Sequence, residues 1–166
     1  MGTNVNEQEL KTKKRTNWIL KNLNKVKDKE FKSLHKTPMM FQKYNPKLIN
    51  AEEGLVDFEF VVLENMVNPL GFFHGGIQCV LFDDIIAIAA ATLGNDAFSI
   101  TANLQVHYLG KCKLNDIIRI EAEVVREGRS RIYVEARMVG VNGKTISTAN
   151  SDLLLTNISR DYPKKV

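Results

Sequence analysis

Residues 68–91 read NPLGFFHGGIQCVLFDDIIAIAAA, and the fold turns on how this stretch is understood. Asn68-Pro69-Leu70-Gly71 carries a loop signal. From Gly75 to Leu93 the apolar run is too long for a strand, carries Ala and Ile on nearly every side, and stops at Gly94-Asn95. A helix that is apolar all round is a buried one. Its surroundings read as strands. Upstream, residues 38–65 predict two short strands about the Glu52-Glu53-Gly54 turn, the second with the alternation GLVDFEFVV. Downstream, FSITANLQVHYL (98–109), DIIRIEAEVVRE (116–127), SRIYVEARMVG (130–140) and KTISTANSDLLLTNI (144–158) predict three or four long strands. Glu127-Gly128-Arg129 and Asn142-Gly143 supply tight turns between them. One long helix wrapped by an antiparallel sheet is an α+β arrangement.

The 166 residues, 44% hydrophobic, suffice for one ordinary core. No internal repeat, low-complexity tract or Pro/Gly linker divides them. The expected organisation is a basic helical extension (1–40), one wrapped-helix domain (41–158) and a polar tail (159–166). Charge is uneven: residues 1–37 hold ten Lys/Arg against four Asp/Glu, so the surplus of six there leaves the rest of the chain at −2. Such a leader suits nucleic acid, an anionic membrane, or plain solvation as a charged helix. The last is the expectation, with no nucleic-acid partner. Trp18, Ile19, Leu20, Leu23, Val26, Phe31 and Leu34 predict one or two helices packed on the body through a single apolar stripe. No apolar run reaches the roughly 18 uncharged residues of a membrane span, and the polar N-terminus lacks a signal-peptide apolar region. No stable membrane insertion and a cytoplasmic location are therefore expected, with Cys79 and Cys112 as reduced thiols.

The chemistry concentrates at two places on the long helix. The first N–H groups of a helix lack internal partners, and the macrodipole places partial positive charge there. Gly75 and Gly76 allow close approach to that backbone, which suits an anion or a carbonyl oxygen turning negative; a simple capped turn at His74 is the alternative. Farther on, Asp83 and Asp84 interrupt the apolar run, where an ionised carboxylate must be paired, protonated or set at a cleft. Helical neighbours point about 100° apart, so one of the two is expected at the cleft and the other in a structural bond. Gly75 and Asp83 stand about 12 Å apart along the helix, whereas a base must come within about 3 Å of its target. One chain cannot bring both to the same carbonyl. Two chains with antiparallel helices can, so a functional site predicts at least a dimer.

The order Asn68, His74-Gly75-Gly76, Asp83 and then, eighteen residues on, Thr101 at the head of TANLQVHYL resembles the hot-dog-fold thioesterases of the PaaI-like branch, in the 4-hydroxybenzoyl-CoA thioesterase superfamily. The likeness spans about residues 50–156 and leaves the leader uncovered. It implies a long central helix in a curved antiparallel sheet, dimers or tetramers, and hydrolysis of acyl-CoA at sites shared between subunits. In its terms Gly75 offers its N–H to the thioester oxygen, and the partner's Asp83 activates water or attacks directly. Asn68 positions the water or the thioester, His74 bonds the loop or the substrate near sulfur, and Thr101 orients the water or the carboxylate. Gly76 is implied beside the substrate. Phe72 and Phe73 are bulkier than the pattern leads one to expect, and would narrow the acyl pocket or stack on an aromatic acyl group.

Coenzyme A carries phosphates, so Lys111 and Lys113 of the LGKCK loop and Arg129 or Arg131 at the EGRSR turn are candidates for the site mouth. His107 reads as an ordinary strand residue, since no dense ligand cluster of zinc spacing accompanies it. The absence of G-x-S-x-G argues against a serine triad, and the absence of Gly-rich phosphate motifs against nucleoside triphosphates and dinucleotides. The expectation is thus a thioester hydrolase needing no metal or cofactor. The rivals are a non-catalytic acyl-CoA-binding regulator with the leader on DNA, and a dehydratase on the same fold, whose different histidine motif is not found here.

Overall fold

The computed structural model describes residues 3–27 and 43–159. Phe31 and Leu34 of the expected stripe, residues 38–42 of the first strand segment and nearly all of the polar tail lie outside these. Helix α1 (Thr3–Asn24) precedes a hairpin of β1 (Lys47–Glu52) and β2 (Leu55–Val61). A 3-10 turn, Glu64–Met66, and the Asn68 loop lead into α2 (Gly75–Thr92), followed by β3 (Ala97–Thr101), β4 (Gln105–Tyr108), β5 (Ile117–Glu127), β6 (Arg131–Gly140) and β7 (Thr145–Ser159). The sheet order is β1-β2-β5-β6-β7-β3, antiparallel throughout, with β4 also on β7.

Alternation in the strands decides the wrapping. Val56, Phe58 and Phe60 of β2, Ile118, Ile120 and Ala122 of β5, and Ile132, Val134 and Met138 of β6 are all buried on one face. They close over Leu81, Phe82, Ile85, Ile86 and Ala89 of α2, each with no exposed surface. Fully burying one such large side chain is worth about 1.5–3 kcal/mol, so this seam is where the fold is made. The β1–β2 turn is tied to the far end of α2 by Gly54 N–H donating to Thr92 Oγ1 at 2.7 Å. Gly54 has φ +79°, the conformation the Glu53-Gly54 turn requires.

Two expectations change. The run FSITANLQVHYL is two strands, not one. Residues 102–104 leave the ladder where Ser151 Oγ donates to Asn103 O at 2.6 Å and Asp152 exchanges bonds with the Asn103 side chain at 2.9 and 3.1 Å. Nor is α2 buried all round: Cys79, Val80, Asp83, Asp84, Ala87, Ile88 and Ala91 remain half-buried. The sheet covers only one side of a helix, so the remaining flank of α2 needs a further layer to bury it. By length and composition α2 could cross a membrane; here it is the core helix of the sheet.

Helix α1 lies on the body through Thr16 and Leu23, both buried, with Ile19 and Leu20 packed beside them. Arg15 Nε donates to Gly94 O at 2.6 Å, placing a cation at the C-terminal end of α2 where the helix dipole favours it. Gly94 has φ +73°, and a Cβ there would stand 2.5–2.7 Å from Thr16 Oγ1, Thr12 O and Thr16 N. The contact between α1 and the Gly94 turn is backbone against backbone.

Candidate active site

Three residues at intervals of four, Gly75, Cys79 and Asp83, form one stripe on α2. Strands β3 and β4 run along that stripe in the opposite sense. Thr101, at the end of β3, donates its hydroxyl to Asp83 Oδ1 at 2.7 Å. Tyr108, at the end of β4, donates to Gly75 O at 3.0 Å and lies 3.1 Å from Cys79 Sγ. The two contacts pin the middle and the start of the helix to one edge of the sheet. The hydrogen bond with Cys79, reinforced by burial, pushes the Tyr108 hydroxyl up to about 12, so it stays protonated and keeps donating.

The helix start is built so that one donor is left over. His74 is the N-cap: its Nδ1 accepts from Gly76 N–H at 2.9 Å, and its carbonyl accepts from Ile77 and Gln78. Gly75 N–H has no acceptor among the described residues. A neutral ring that accepts at Nδ1 carries its proton at Nε2, so the exposed His74 presents a donor. The cap holds because His74 N–H is itself bound to Met66 O and Phe73 N–H to Cys112 O, each at 2.8 Å. The glycine at 75 is a steric matter, since a Cβ there would meet the Tyr108 ring and hydroxyl at 3.1–3.3 Å.

The other expected site residues distribute themselves around this start. Asn68 Oδ1 accepts from Leu70 and Phe72 N–H at 2.9 and 3.1 Å, which shapes the loop and leaves its amide Nδ2 as the group to meet a substrate. Gly76 spends its N–H on the cap, and its Cβ position is closed by the His74 ring at 3.0–3.1 Å. Phe72 is half-buried under two ammonium groups, Lys111 Nζ at 5.1 Å and Lys113 Nζ at 5.9 Å from its ring centre. Phe73 is a core residue, edge-on to Phe60 with ring centres 6.3 Å apart. Arg129 is exposed at the β5–β6 turn, on an open groove of about 550 Å³ that it lines with Arg126, Arg131, Tyr133 and Asp152. Asp152 bonds Asn103, two residues from Thr101, so this groove begins beside the Asp83 end of the stripe. Asp84 is half-buried and engaged in an interaction of its own. His107 is an exposed β4 residue, and no three His, Cys, Asp or Glu side chains gather as metal ligands among the described residues.

Two residues of this arrangement, Tyr108 and Cys79, carry no motif. The only sequence signal for Tyr108 is its strand parity: it pairs with the buried Ser147 and therefore faces the helix.

The family described as the thioesterase superfamily matches residues 70–147, from the Asn68 loop through α2 to the start of β7. Over that segment the chain is similar to the thioesterase superfamily. Its fold is the hot-dog fold. Acyl-coenzyme A thioesterase 13 of Homo sapiens is 28% identical over 101 residues, 60% of this chain and 72% of that protein. The PaaI protein of the E. coli phenylacetic acid degradation operon superposes with a TM-score of 0.69 at 17% identity, over 75% of this chain and 89% of that one. A hypothetical thioesterase from Streptococcus pneumoniae, solved with coenzyme A, gives a TM-score of 0.66 at 24% identity, over 70% and 89% of the two chains.

Proposed function

We propose that this chain hydrolyses acyl-CoA thioesters to the free carboxylic acid and CoA, at sites each completed by two subunits. The observation that carries the reading is the Thr101–Asp83 hydrogen bond of 2.7 Å, which fixes a half-buried carboxylate on the same helical stripe as the unspent Gly75 N–H. The acyl-CoA substrate class is supported by the name of the thioesterase 13 relative and by the coenzyme A in the S. pneumoniae structure.

In this route the thioester carbonyl oxygen of the substrate accepts from Gly75 N–H of one subunit. A water on the other side of the carbonyl gives its proton to Asp83 of the second subunit as its oxygen bonds to carbon. Negative charge then develops on the carbonyl oxygen, where the N–H and the helix dipole stabilise it. Collapse breaks the C–S bond, and the CoA sulfur leaves with the proton. Direct attack by Asp83, giving an anhydride that water opens, uses the same groups. Thr101 keeps the carboxylate aimed, while Asn68 Nδ2 and His74 Nε2–H supply donors near the sulfur and the water. No metal or cofactor is needed for this chemistry.

The pairing of subunits follows from the separation of about 12 Å between Gly75 and Asp83 on one helix. It is supported by the half-buried flank of α2 and by the β3–β4 edge. Among the described residues both strands pair only with β7, and Phe98, Ile100, Tyr108 and Leu109 stay 48–62% exposed along them. The free thiols Cys79 and Cys112 fit a reducing compartment such as the cytoplasm.

The test is free-thiol release from short, medium, long and aromatic acyl-CoAs, for the wild type and Asp83→Asn, which keeps the shape and removes the charge. A loss of at least about a hundredfold with the fold intact is expected. Mixing Asp83→Asn with Gly75→Val chains then recovers roughly a quarter of the activity by random pairing, since one site in each mixed dimer is wild type. No recovery on mixing would place both groups in one subunit's site. Binding of acyl-CoA without any turnover by the wild type would make the protein a regulator.

A further inference from the structure

The thioesterase chemistry leaves α1 unused, although it holds most of the chain's surplus positive charge. Its two sides are different in kind. Arg15, Thr16, Ile19 and Leu23 turn to the body. At about 100° per residue, Leu10, Lys14 and Lys21 fall within an arc of about 40° on the opposite side, flanked by Lys11 and Lys13, and Lys25 follows in the turn just past the helix end. All six are exposed, and Leu10 is 56% exposed. Trp18 is half-buried at the margin of this arc. The acid on the outer arc, Glu7, is paired with Lys11 at 2.8 Å, and Glu9 lies to one side. The helix cannot turn this face inward, because the Gly94 contact fixes its rotation.

We propose that the outer face of α1 is a docking surface for an anionic membrane. The cations are all lysines, and the single arginine of the helix is spent on Gly94 O. Arginine suits bidentate recognition of individual phosphates, whereas lysine acts as a point charge on a flexible stem. A row of point charges lying flat, with an exposed leucine among them and an indole at its edge, matches a diffuse layer of anionic headgroups over an apolar interior. Nucleic acid would be served by the same charge but would find neither a bidentate donor nor a use for Leu10. Residues 1–37 carry +6 and residues 38–166 carry −2, so the protein approaches such a surface with its N-terminal side, α1, first.

The experiment is co-sedimentation of the full-length protein with large unilamellar vesicles of phosphatidylcholine alone, or with a third of phosphatidylglycerol, at low and high salt. The variant carries Lys14→Glu, Lys21→Glu and Lys25→Glu. Wild-type protein is expected on the anionic vesicles only, released by salt, and the triple variant is expected to partition on the order of a hundredfold less. The three lysines are exposed, so the melting temperature stays put; should the reversal disturb folding, the Lys→Gln triple variant gives the same comparison. Absence of wild-type binding to anionic vesicles, or equal binding by the variant, overturns the proposal. Tighter binding to a DNA duplex at matched phosphate concentration overturns it in favour of nucleic acid. Thiol release by the variant separates the two readings, since none of these lysines belongs to the hydrolytic site.

Discussion

Replacing Gly94 by alanine tests the seat of α1 against an internal control. Gly94 and Gly143 have nearly the same backbone, φ +73° and +74°, yet a Cβ at Gly143 meets nothing within 4 Å. At either position alanine incurs the left-handed cost of about 1–2 kcal/mol, partly offset by a stiffer unfolded chain. Gly143→Ala should therefore destabilise by about 1 kcal/mol. Gly94→Ala adds a methyl 2.5–2.7 Å from atoms of Thr12 and Thr16, two of them backbone, so the neighbour that must yield is the helix itself. Displacing α1 weakens the hydrogen bond of Arg15, whose side chain is only 12% exposed, a charge-assisted bond of the kind worth about 1.5–3 kcal/mol. The expected total is about 3–4 kcal/mol. For a chain of this size that corresponds to a melting temperature lowered by about 10 °C, against about 3 °C for Gly143→Ala. Thermal unfolding followed by circular dichroism, at one fixed protein concentration, reads both. Equal losses for the two alanines would refute the packing of α1 on the Gly94 turn.

Other consequences follow from single contacts. Thr101→Ala should lower kcat/KM about ten- to a hundredfold by removing a hydrogen bond to a carboxylate, and Thr101→Ser should restore most of it; a serine variant as poor as alanine would exclude the hydroxyl as the cause. Tyr108→Phe removes the bonds to Gly75 O and Cys79 while keeping the ring, and should cost about tenfold in kcat/KM with little change in melting, whereas Cys79→Ala spares the Gly75 bond and should cost much less. Burial, with the Asp116 charge second, pushes the Cys112 thiol from 9.0 up to about 11. The folded chain thus holds that proton more tightly than the unfolded chain, and stability should fall as pH rises from about 9 to about 11. Denaturant midpoints across that range should flatten in Cys112→Ala; an unchanged slope would mean other groups set it.

The parts of this fold that were legible in sequence are those coded locally. The limits of α2 were visible because His74 and Gly94 are the cap and stop residues that helix ends need, and the β1–β2 and β6–β7 turns because Gly54 and Gly143 take positive φ. Asp83 stood out as a carboxylate inside an apolar run and Thr101 came from a resemblance of pattern, and their 2.7 Å contact is an independent geometric finding. What was hidden depends on distant partners. Nothing in FSITANLQVHYL announces a break at residues 102–104, because the groups that make it, Ser151 and Asp152, lie almost fifty positions on. Phe73 and Phe72 are adjacent and alike in composition, yet one packs on Phe60 and the other lies under two lysines. Tyr108 gave no signal beyond its strand parity, since a strand's local pattern does not name the helix residue it will touch. The all-round apolarity of α2 was read as complete burial, whereas the sheet covers a single side.

Gly75, Cys79 and Asp83 share a face only because they sit two whole helical steps of four apart. That makes the interval between the cap and the carboxylate a matter of phase. Adding one residue anywhere between Gly76 and Phe82 would swing Asp83 by about 100° and carry it about 1.5 Å onward, away from Thr101 and off the edge that β3 and β4 occupy. A turn away from the site, such as Asn142-Gly143, can lengthen and leave the chemistry alone, but this helix behaves as a screw thread on which eight residues is the working pitch.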